Sequence, residues 1–117
     1  MNALGPVLAV VVALGMLGAG SGKVARSSSM VKSAEHLGFS PTAYFRIGVL
    51  EIVAAAGLVI GIWVPVLCLI AAIGVVLLLV GAVINHIRAG DDLVDMAPAL
   101  LLGVVAVATA AVVGSST

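Results

Sequence analysis

Glu51 is the side chain whose position in this sequence most strongly indicates chemistry. It lies in an apolar stretch, residues 47–64, that contains no other charged residue and is long enough to cross a membrane. A charged side chain at the centre of a spanning helix costs about 2.5–3.5 kcal/mol, so such residues usually face other helices and have a partner. Glu51 is therefore predicted either to bind a ligand head group or a proton, or to act as a packing clasp tied to a neighbouring polar group.

Candidate partners for Glu51 come from the ends of two other apolar stretches. Ser21 and Lys23 lie at the end of the first stretch, and Asn85 and His86 at the end of the third. If these stretches cross the membrane as helices, their ends lie on the same side as the start of the helix that carries Glu51. We therefore predict that these five residues form an inward-facing polar pocket beneath an apolar bundle. Such a pocket suits an amphiphile with a polar head and an apolar tail.

Arg46 is the second unusual charge, because the helix dipole disfavours a cation in the early part of a helix. It precedes Glu51 by five residues, which places the two side chains about 140° apart around a helix. We interpret Arg46 as extending to phosphates of the inner leaflet or to another helix. Glu51 itself is expected to be ionised if Lys23 or a protonated His86 lies close, and protonated otherwise.

The composition of the chain excludes several classes of protein. Of its 117 residues, 63% are hydrophobic and 9% are charged, whereas ordinary soluble domains have about 25% charged residues. So few charges cannot cover the surface of a small soluble domain, and disordered chains are polar. Nucleic-acid binding is not expected, since five Lys and Arg balance five Asp and Glu and aromatic residues make up 3%. The single cysteine, Cys68, excludes an internal disulfide and a cysteine-based zinc site.

Four apolar stretches are long enough to cross a membrane, which takes about 20 residues as a helix. They lack the strict alternation that a β-barrel requires. The sequence therefore predicts an all-α fold, an integral membrane bundle of four transmembrane helices in one membrane domain, residues 1–117. The predicted helices are residues 3–22, 42–62, 66–86 and 93–114. The first is interpreted as a retained helix and not a signal peptide, because no Lys or Arg precedes its apolar run.

Cap residues mark the ends of several helices. Residues 31–37 are predicted to form a short surface helix that ends at Gly38. Ser40 and Pro41 are predicted as the N-cap and first residue of the second spanning helix, and Gly90 as the stop of the third. Three acidic residues after Gly90 are interpreted as helix caps or first-turn acids: Asp91, Asp92 and Asp95.

The distribution of basic residues predicts the orientation in the membrane. All five lie on or near the side that carries the two long connections: Lys23, Arg26, Lys32, Arg46 and Arg88. Cytoplasmic loops carry an excess of Lys and Arg, so both long connections are predicted to be cytoplasmic and both termini outside. We therefore expect a multi-pass protein of the lipid membrane, specifically a bacterial plasma membrane.

Four blocks of the sequence resemble the DoxX-like family of small four-helix membrane proteins. The blocks are GSGK at residues 20–23, LGFSP at 37–41, RIGVLE at 46–51 and AVINHIRAGD at 82–91. The resemblance implies a four-helix bundle in which Lys23, Glu51 and His86 are among the family's characteristic polar positions. It implies little about a reaction, although the family takes its name from a subunit of a quinone-linked sulfur oxidoreductase.

The motifs of stand-alone enzymes are absent from the sequence. It contains no GxSxG, no HExxH and no glycine-rich phosphate loop, and its two histidines form no recognisable metal set with the aspartates. We therefore expect no catalytic activity of its own, no metal and no cofactor apart from a bound quinone or lipid. The favoured interpretation is a membrane-embedded protein that binds such a lipophilic ligand, or an accessory subunit of a larger membrane complex, with partner subunits or as a homo-oligomer.

The alternative is a small multidrug-type exporter that couples transport to protons through Glu51. Such exporters carry their membrane glutamate in the first helix and bind cations among aromatic side chains. Here the glutamate lies in the second predicted helix and the spanning segments have almost no aromatic residues. Exporters of that kind also show a weak charge bias, in contrast to the one-sided distribution of basic residues in this chain.

Overall fold

The helices of the chain follow the lengths of its apolar stretches. In the computed structural model, which describes residues 3–116, they are α1 (Leu4–Val24), α2 (Ser28–Leu37), α3 (Pro41–Ile60), α4 (Pro65–Arg88) and α5 (Leu93–Ser116). No strand occurs within residues 3–116, so the predicted all-α class is confirmed. The four long helices begin and end within two residues of the predicted ranges.

Four of these helices are long and apolar enough to cross a membrane: α1, α3, α4 and, in α5, Leu93–Ser115. Each has large apolar side chains on its outer surface, among them Leu14, Val53, Leu77 and Val104, which are 60–68% exposed. Apolar surface this extensive is stable only against lipid or another apolar partner. The chain is therefore a multi-pass integral membrane protein.

The four spanning helices form a closed ring in the order α1, α3, α4, α5. Helix α1 packs mainly against α3, and α4 mainly against α5, while contacts of α3 with α4 and of α1 with α5 complete the ring. The side chains at the centre are fully buried and come from all four helices; the largest are Met16, Leu58, Val12, Val75 and Val113.

Helices α1 and α3 approach each other most closely at two glycines. A Cβ atom placed on Gly20 would lie 2.7 Å from the carbonyl oxygen of Gly48, and one on Gly48 would lie 2.7 Å from Cβ of Lys23. Both distances are too short for a real side chain, so the two backbones touch here. Small residues that allow such close approach are the usual means of packing helices in a membrane, where burial gives little drive for association.

The surface helix α2 starts earlier than predicted. It begins at Ser28, because the side chain of Ser27 accepts a hydrogen bond from the backbone N–H of Met30 at 3.4 Å and caps the helix. It ends at Gly38, whose φ of +82° is the left-handed conformation that glycine adopts readily. The predicted stop at Gly38 is confirmed, and the start lies three residues before the predicted position 31.

Caps of the spanning helices also agree with the sequence. The Ser40 hydroxyl accepts a hydrogen bond from the backbone N–H of Ala43 at 3.1 Å, and Pro41 is the first residue of α3. Gly90, with a φ of +79°, ends α4. Asp92 caps α5 by accepting from the N–H of Asp95 at 3.2 Å.

Helix α3 extends past the end of α1 at the end of the bundle where α1 and α4 finish, which we call the charged end. Because Gly48 lies beside Lys23 near the end of α1, residues 41–47 project about 10 Å beyond that level at 1.5 Å per residue. Helix α2 covers this step and touches α1, α3 and α4, each over a narrow area.

Candidate functional site

The centre of the candidate site is an ion pair between α1 and α3. Nζ of Lys23 lies 2.9 Å from Oε1 of Glu51, and the two side chains are 11% and 8% exposed. The absence of a side chain at Gly20 makes room for this pair, since a Cβ there would lie 3.2 Å from Cβ of Glu51. The glycine contact between α1 and α3 thus sets the distance across which Lys23 meets Glu51.

The pair leaves hydrogen-bonding capacity unused. Oε1 of Glu51 is fully buried, and no donor among the described residues is aligned for a hydrogen bond with it. The Lys23 ammonium is close enough to attract this oxygen but lies off the direction of a hydrogen bond. The ion pair at 2.9 Å compensates the charge of this oxygen, and no other described residue donates a hydrogen bond to it.

Aromatic rings lie against two cations at the charged end. Nζ of Lys23 lies 5.0 Å from the centre of the Tyr44 ring, within the range of a cation–π interaction. Phe39 packs against Tyr44 with ring centres 5.5 Å apart. Arg26 stacks in the same way over Phe45, at 5.4 Å from its Cζ to the ring centre. Two cations are therefore held at this end against aromatic faces.

A cleft of about 130 Å³ opens beside Lys23 between α1, α2 and the start of α3. Its wall combines two cations and one carboxylate with aromatic and aliphatic side chains. The lining residues are Lys23, Arg26, Met30, Val31, Ala34, Glu35, Phe39, Pro41 and Tyr44. Glu51 lies behind Lys23 and is not part of the lining, so Lys23 separates the cleft from the buried carboxylate.

A second polar cluster joins three elements at the charged end. Asp91, in the connection between α4 and α5, contacts two histidines: Nε2 of His36 lies 2.5 Å from its Oδ1, and Nδ1 of His86 lies 2.6 Å from its Oδ2. These are hydrogen-bond distances, and within residues 3–116 no group of three metal-ligating side chains is arranged to hold a metal ion. Hydrogen bonds from His36 and His86 hold the pKa of Asp91 below its ordinary value.

The lowered pKa of Asp91 sets the pH range of this cluster. A carboxylate whose pKa is lower in the folded than in the unfolded chain contributes stability above its ordinary pKa, near 3.8 here. That contribution is lost only when the pH falls through the lower folded value. The cluster is therefore present at neutral and mildly acidic pH, where each histidine can donate an N–H to the carboxylate whether or not it is charged.

The family of the chain follows from comparison with known proteins. A model of the DoxX-like family matches residues 7–109. The chain belongs to the DoxX-like family. Comparison with curated proteins and with solved structures gives no significant match. The matched range includes Lys23, Glu51 and the histidine cluster, so the ion pair and the cleft both lie in the part of the chain that resembles other DoxX-like proteins.

In this DoxX-like protein the six predicted site residues separate into groups. Lys23 and Glu51 meet, as described above. Asn85 donates a hydrogen bond to the carbonyl of Gly81 within its own helix at 2.9 Å, and His86 contacts Asp91. The remaining two, Ser21 and Arg46, lie at the surface of the charged end.

Several residues at the site were not indicated by the sequence. The sequence indicates Arg26 only as one of the basic residues of the long connections and Asp91 only as a helix cap, and it gives no sign that Tyr44 lies at the site. The contact between His86 and Asp91 is predictable from the local sequence. Gly90 ends the helix and turns the chain back, so that the backbone N–H of Asp91 donates a hydrogen bond to the His86 carbonyl at 3.0 Å. No local signal links His36 with Asp91, which are 55 residues apart.

Proposed function

We propose that this DoxX-like protein binds the polar head of a membrane amphiphile, a quinone or a lipid, in the cleft beside Lys23. The observation that carries the proposal is the buried Lys23–Glu51 pair in a bundle of apolar helices, next to an open cleft. Replacing a buried ion pair by apolar side chains is often neutral or stabilising. Packing alone therefore does not explain why this position holds an ion pair, whereas binding of a polar head group would explain it.

The chemistry of the site favours a head group that accepts hydrogen bonds. The Lys23 ammonium has three donors; it faces Glu51 on one side, and Tyr44 and the cleft on the other. A carbonyl oxygen of a quinone or a phosphate oxygen of a lipid would take up a donor on the cleft side. A hydroxyl on the same head would find an acceptor in the Glu35 carboxylate, which lines the cleft, while Glu51 holds Lys23 in place from behind.

The proposal extends to the role of the protein in the membrane. A binding site of this kind would serve a protein that acts alone, as a homo-oligomer, or as an accessory subunit that presents its ligand to a larger membrane complex. We propose that the charged end faces the cytoplasm and both termini lie outside, as the basic residues indicate. A tag on either terminus should then be accessible in intact cells, and access only after permeabilisation would reverse this orientation.

Proton-coupled export through Glu51 is supported less well than binding. An exporter of that type needs a carboxyl that exchanges its proton with both sides of the membrane. Glu51 is instead 8% exposed and held against the Lys23 ammonium. The ion pair therefore favours a fixed binding site over a shuttling carboxyl.

The test is the ligand content of variants purified in mild detergent. In Lys23→Met combined with Glu51→Leu, both charges are replaced together, which keeps the bundle free of an unpaired buried charge. We expect the double variant to remain folded but to lose at least about nine-tenths of the quinone or phospholipid that copurifies with the parent, as measured by mass spectrometry of the extract. Arg88→Gln, which removes an exposed cation at the end of α4, is the matched control and should retain the ligand.

Two results would reject the proposal. One is a double variant with the parent's ligand content, and the other is a parent protein that carries no more amphiphile than a detergent micelle does. Proton-driven uptake by vesicles that contain the parent, abolished by Glu51→Gln, would instead favour the exporter. A stable set of copurifying membrane proteins would identify the accessory subunit.

A further inference from the structure

Helix α2 is attached to the bundle by few side chains. Of its ten residues, all within the described range, Ala34 alone is buried, and the helix meets each of its neighbours over a narrow area. The chain enters and leaves α2 through left-handed backbone, at Arg26 with a φ of +53° and at Gly38 with a φ of +82°. A short helix between two such turns is able to move as a unit once its side-chain contacts are broken.

The His36–Asp91–His86 cluster is the polar contact that ties the end of α2 to α4. Asp91 is fixed relative to α4 in two ways: its side chain contacts His86 at 2.6 Å, and its backbone N–H bonds the His86 carbonyl at 3.0 Å. Its second carboxylate oxygen is then available to His36, in the last turn of α2, at 2.5 Å. The His36 side chain is 55% exposed, and exposed charge pairs stabilise a contact only modestly, so the cluster holds the end of α2 through a contact that breaks readily.

The same helix forms one wall of the cleft. Met30, Ala34 and Glu35 face the space beside Lys23, and His36 follows Glu35 directly. Movement of α2 away from α1 and α3 would therefore widen the cleft and expose the Lys23 ammonium from the charged end. With α2 in place, the Lys23 side chain is 11% exposed.

We propose that α2 is a lid over the cleft and that the His36–Asp91–His86 cluster is its latch. Release of His36 from Asp91 frees the end of α2, while the ring of spanning helices stays closed. The part of this inference in which the lid admits an amphiphile rests on the proposed function. The latch itself is a property of the protein alone and is testable with no ligand bound.

The test measures how fast the inner face of α2 becomes accessible. The full chain is placed in phosphatidylcholine nanodiscs with Cys68→Ala, which removes a thiol that is fully buried, and with Ala34→Cys as the reporter. A membrane-impermeant maleimide should label this reporter slowly, and His36→Ala should raise the labelling rate about three- to fivefold, since one exposed charge-assisted contact is lost. Lys32→Ala, an exposed change one turn earlier on the same helix, should leave the rate within about twofold of the parent.

Hydrogen exchange separates release of the lid from general loosening. In His36→Ala, amide exchange should accelerate in residues 28–37 and stay unchanged in α3. Equal labelling rates with and without His36→Ala would overturn the proposal. Equal acceleration of exchange in α2 and α3 would also overturn it, because the cluster would then hold the bundle together and not the lid. Loss of ligand from the Lys23 and Glu51 variants has no bearing on either measurement, so the two proposals fail independently.

Discussion

At the level of single residues, the sequence indicated Lys23 as one of several candidate partners of Glu51. Both residues belong to the same end of the bundle, and an intramembrane carboxyl needs a partner. Whether Lys23 or His86 is the partner of Glu51 depends on where α1 crosses α3, and the contact of Gly20 with Gly48 fixes that crossing. Tyr44 could not be predicted as a neighbour of Lys23, because its position depends on how far α3 extends past the end of α1.

A double-mutant cycle on the ion pair should show strong coupling. Glu51→Leu leaves the Lys23 ammonium without its partner, and Lys23→Met leaves a buried carboxyl, so each single change should lower the free energy of unfolding. Breaking a buried pair in this way costs about 3–5 kcal/mol in soluble proteins. The double variant has no unpaired charge and should lose less stability than either single variant, so it should be more stable than the sum of the two changes predicts by at least about 3 kcal/mol.

The measurement is reversible unfolding of the four proteins in the same detergent. Arg88→Gln, which removes a cation that has no part in the pair, should change the free energy of unfolding by less than about 0.5 kcal/mol. Additive single changes would mean that Lys23 and Glu51 do not stabilise each other, and the described geometry of the pair would then be wrong.

At the scale of helices, the sequence indicates where each one begins and ends but not which face it buries. The lengths of the apolar stretches and the cap residues Ser40 and Gly90 predicted the ends of the four spanning helices to within two residues, and Gly38 predicted the end of α2. The spanning helices are apolar all round, because lipid and the bundle interior are equally apolar, so the sequence gives no periodicity that identifies the inner face. Glycines do not resolve this either: Gly20 and Gly48 lie at a helix contact, while Gly18 and Gly74 face open space.

Substitution of these glycines should therefore have opposite effects on the two faces. Gly20→Ala and Gly48→Ala each place a methyl group within 2.7 Å of atoms on the facing helix. Overpacking of this kind typically costs about 1–3 kcal/mol of stability. It should also separate Lys23 from Glu51 and reduce the ligand that copurifies with the protein.

Gly18→Ala and Gly74→Ala are the matched controls, in α1 and α4. Alanine favours a helix over glycine by about 1 kcal/mol, and nothing lies within 4 Å of either added methyl group. These variants should unfold at the same temperature as the parent or a higher one. Equal destabilisation by all four substitutions would show that α1 and α3 do not touch at Gly20 and Gly48.

In the whole molecule, two concave surfaces differ in the ligands they suit. An apolar groove of about 380 Å³ runs along α4 and α5 between side chains such as Val80, Leu100 and Val107, and it suits hydrocarbon chains of the bilayer. The cleft at the charged end is smaller but combines cations, a carboxylate and aromatic rings. Specific recognition of a head group is therefore expected at the charged end, and unspecific lipid contact along α4 and α5.

Photocrosslinking in nanodiscs tests whether the cleft at the charged end binds the head group. A phospholipid and a quinone, each with a photoreactive diazirine next to the head group, are irradiated with the full chain, and the adducts are located by mass spectrometry. We predict that adducts from one of the two probes concentrate on the cleft-lining residues within 23–44 and disappear in the variant that combines Lys23→Met with Glu51→Leu. Adducts confined to the outer faces of α4 and α5, or unchanged in that variant, would contradict the assignment of the cleft as the binding site.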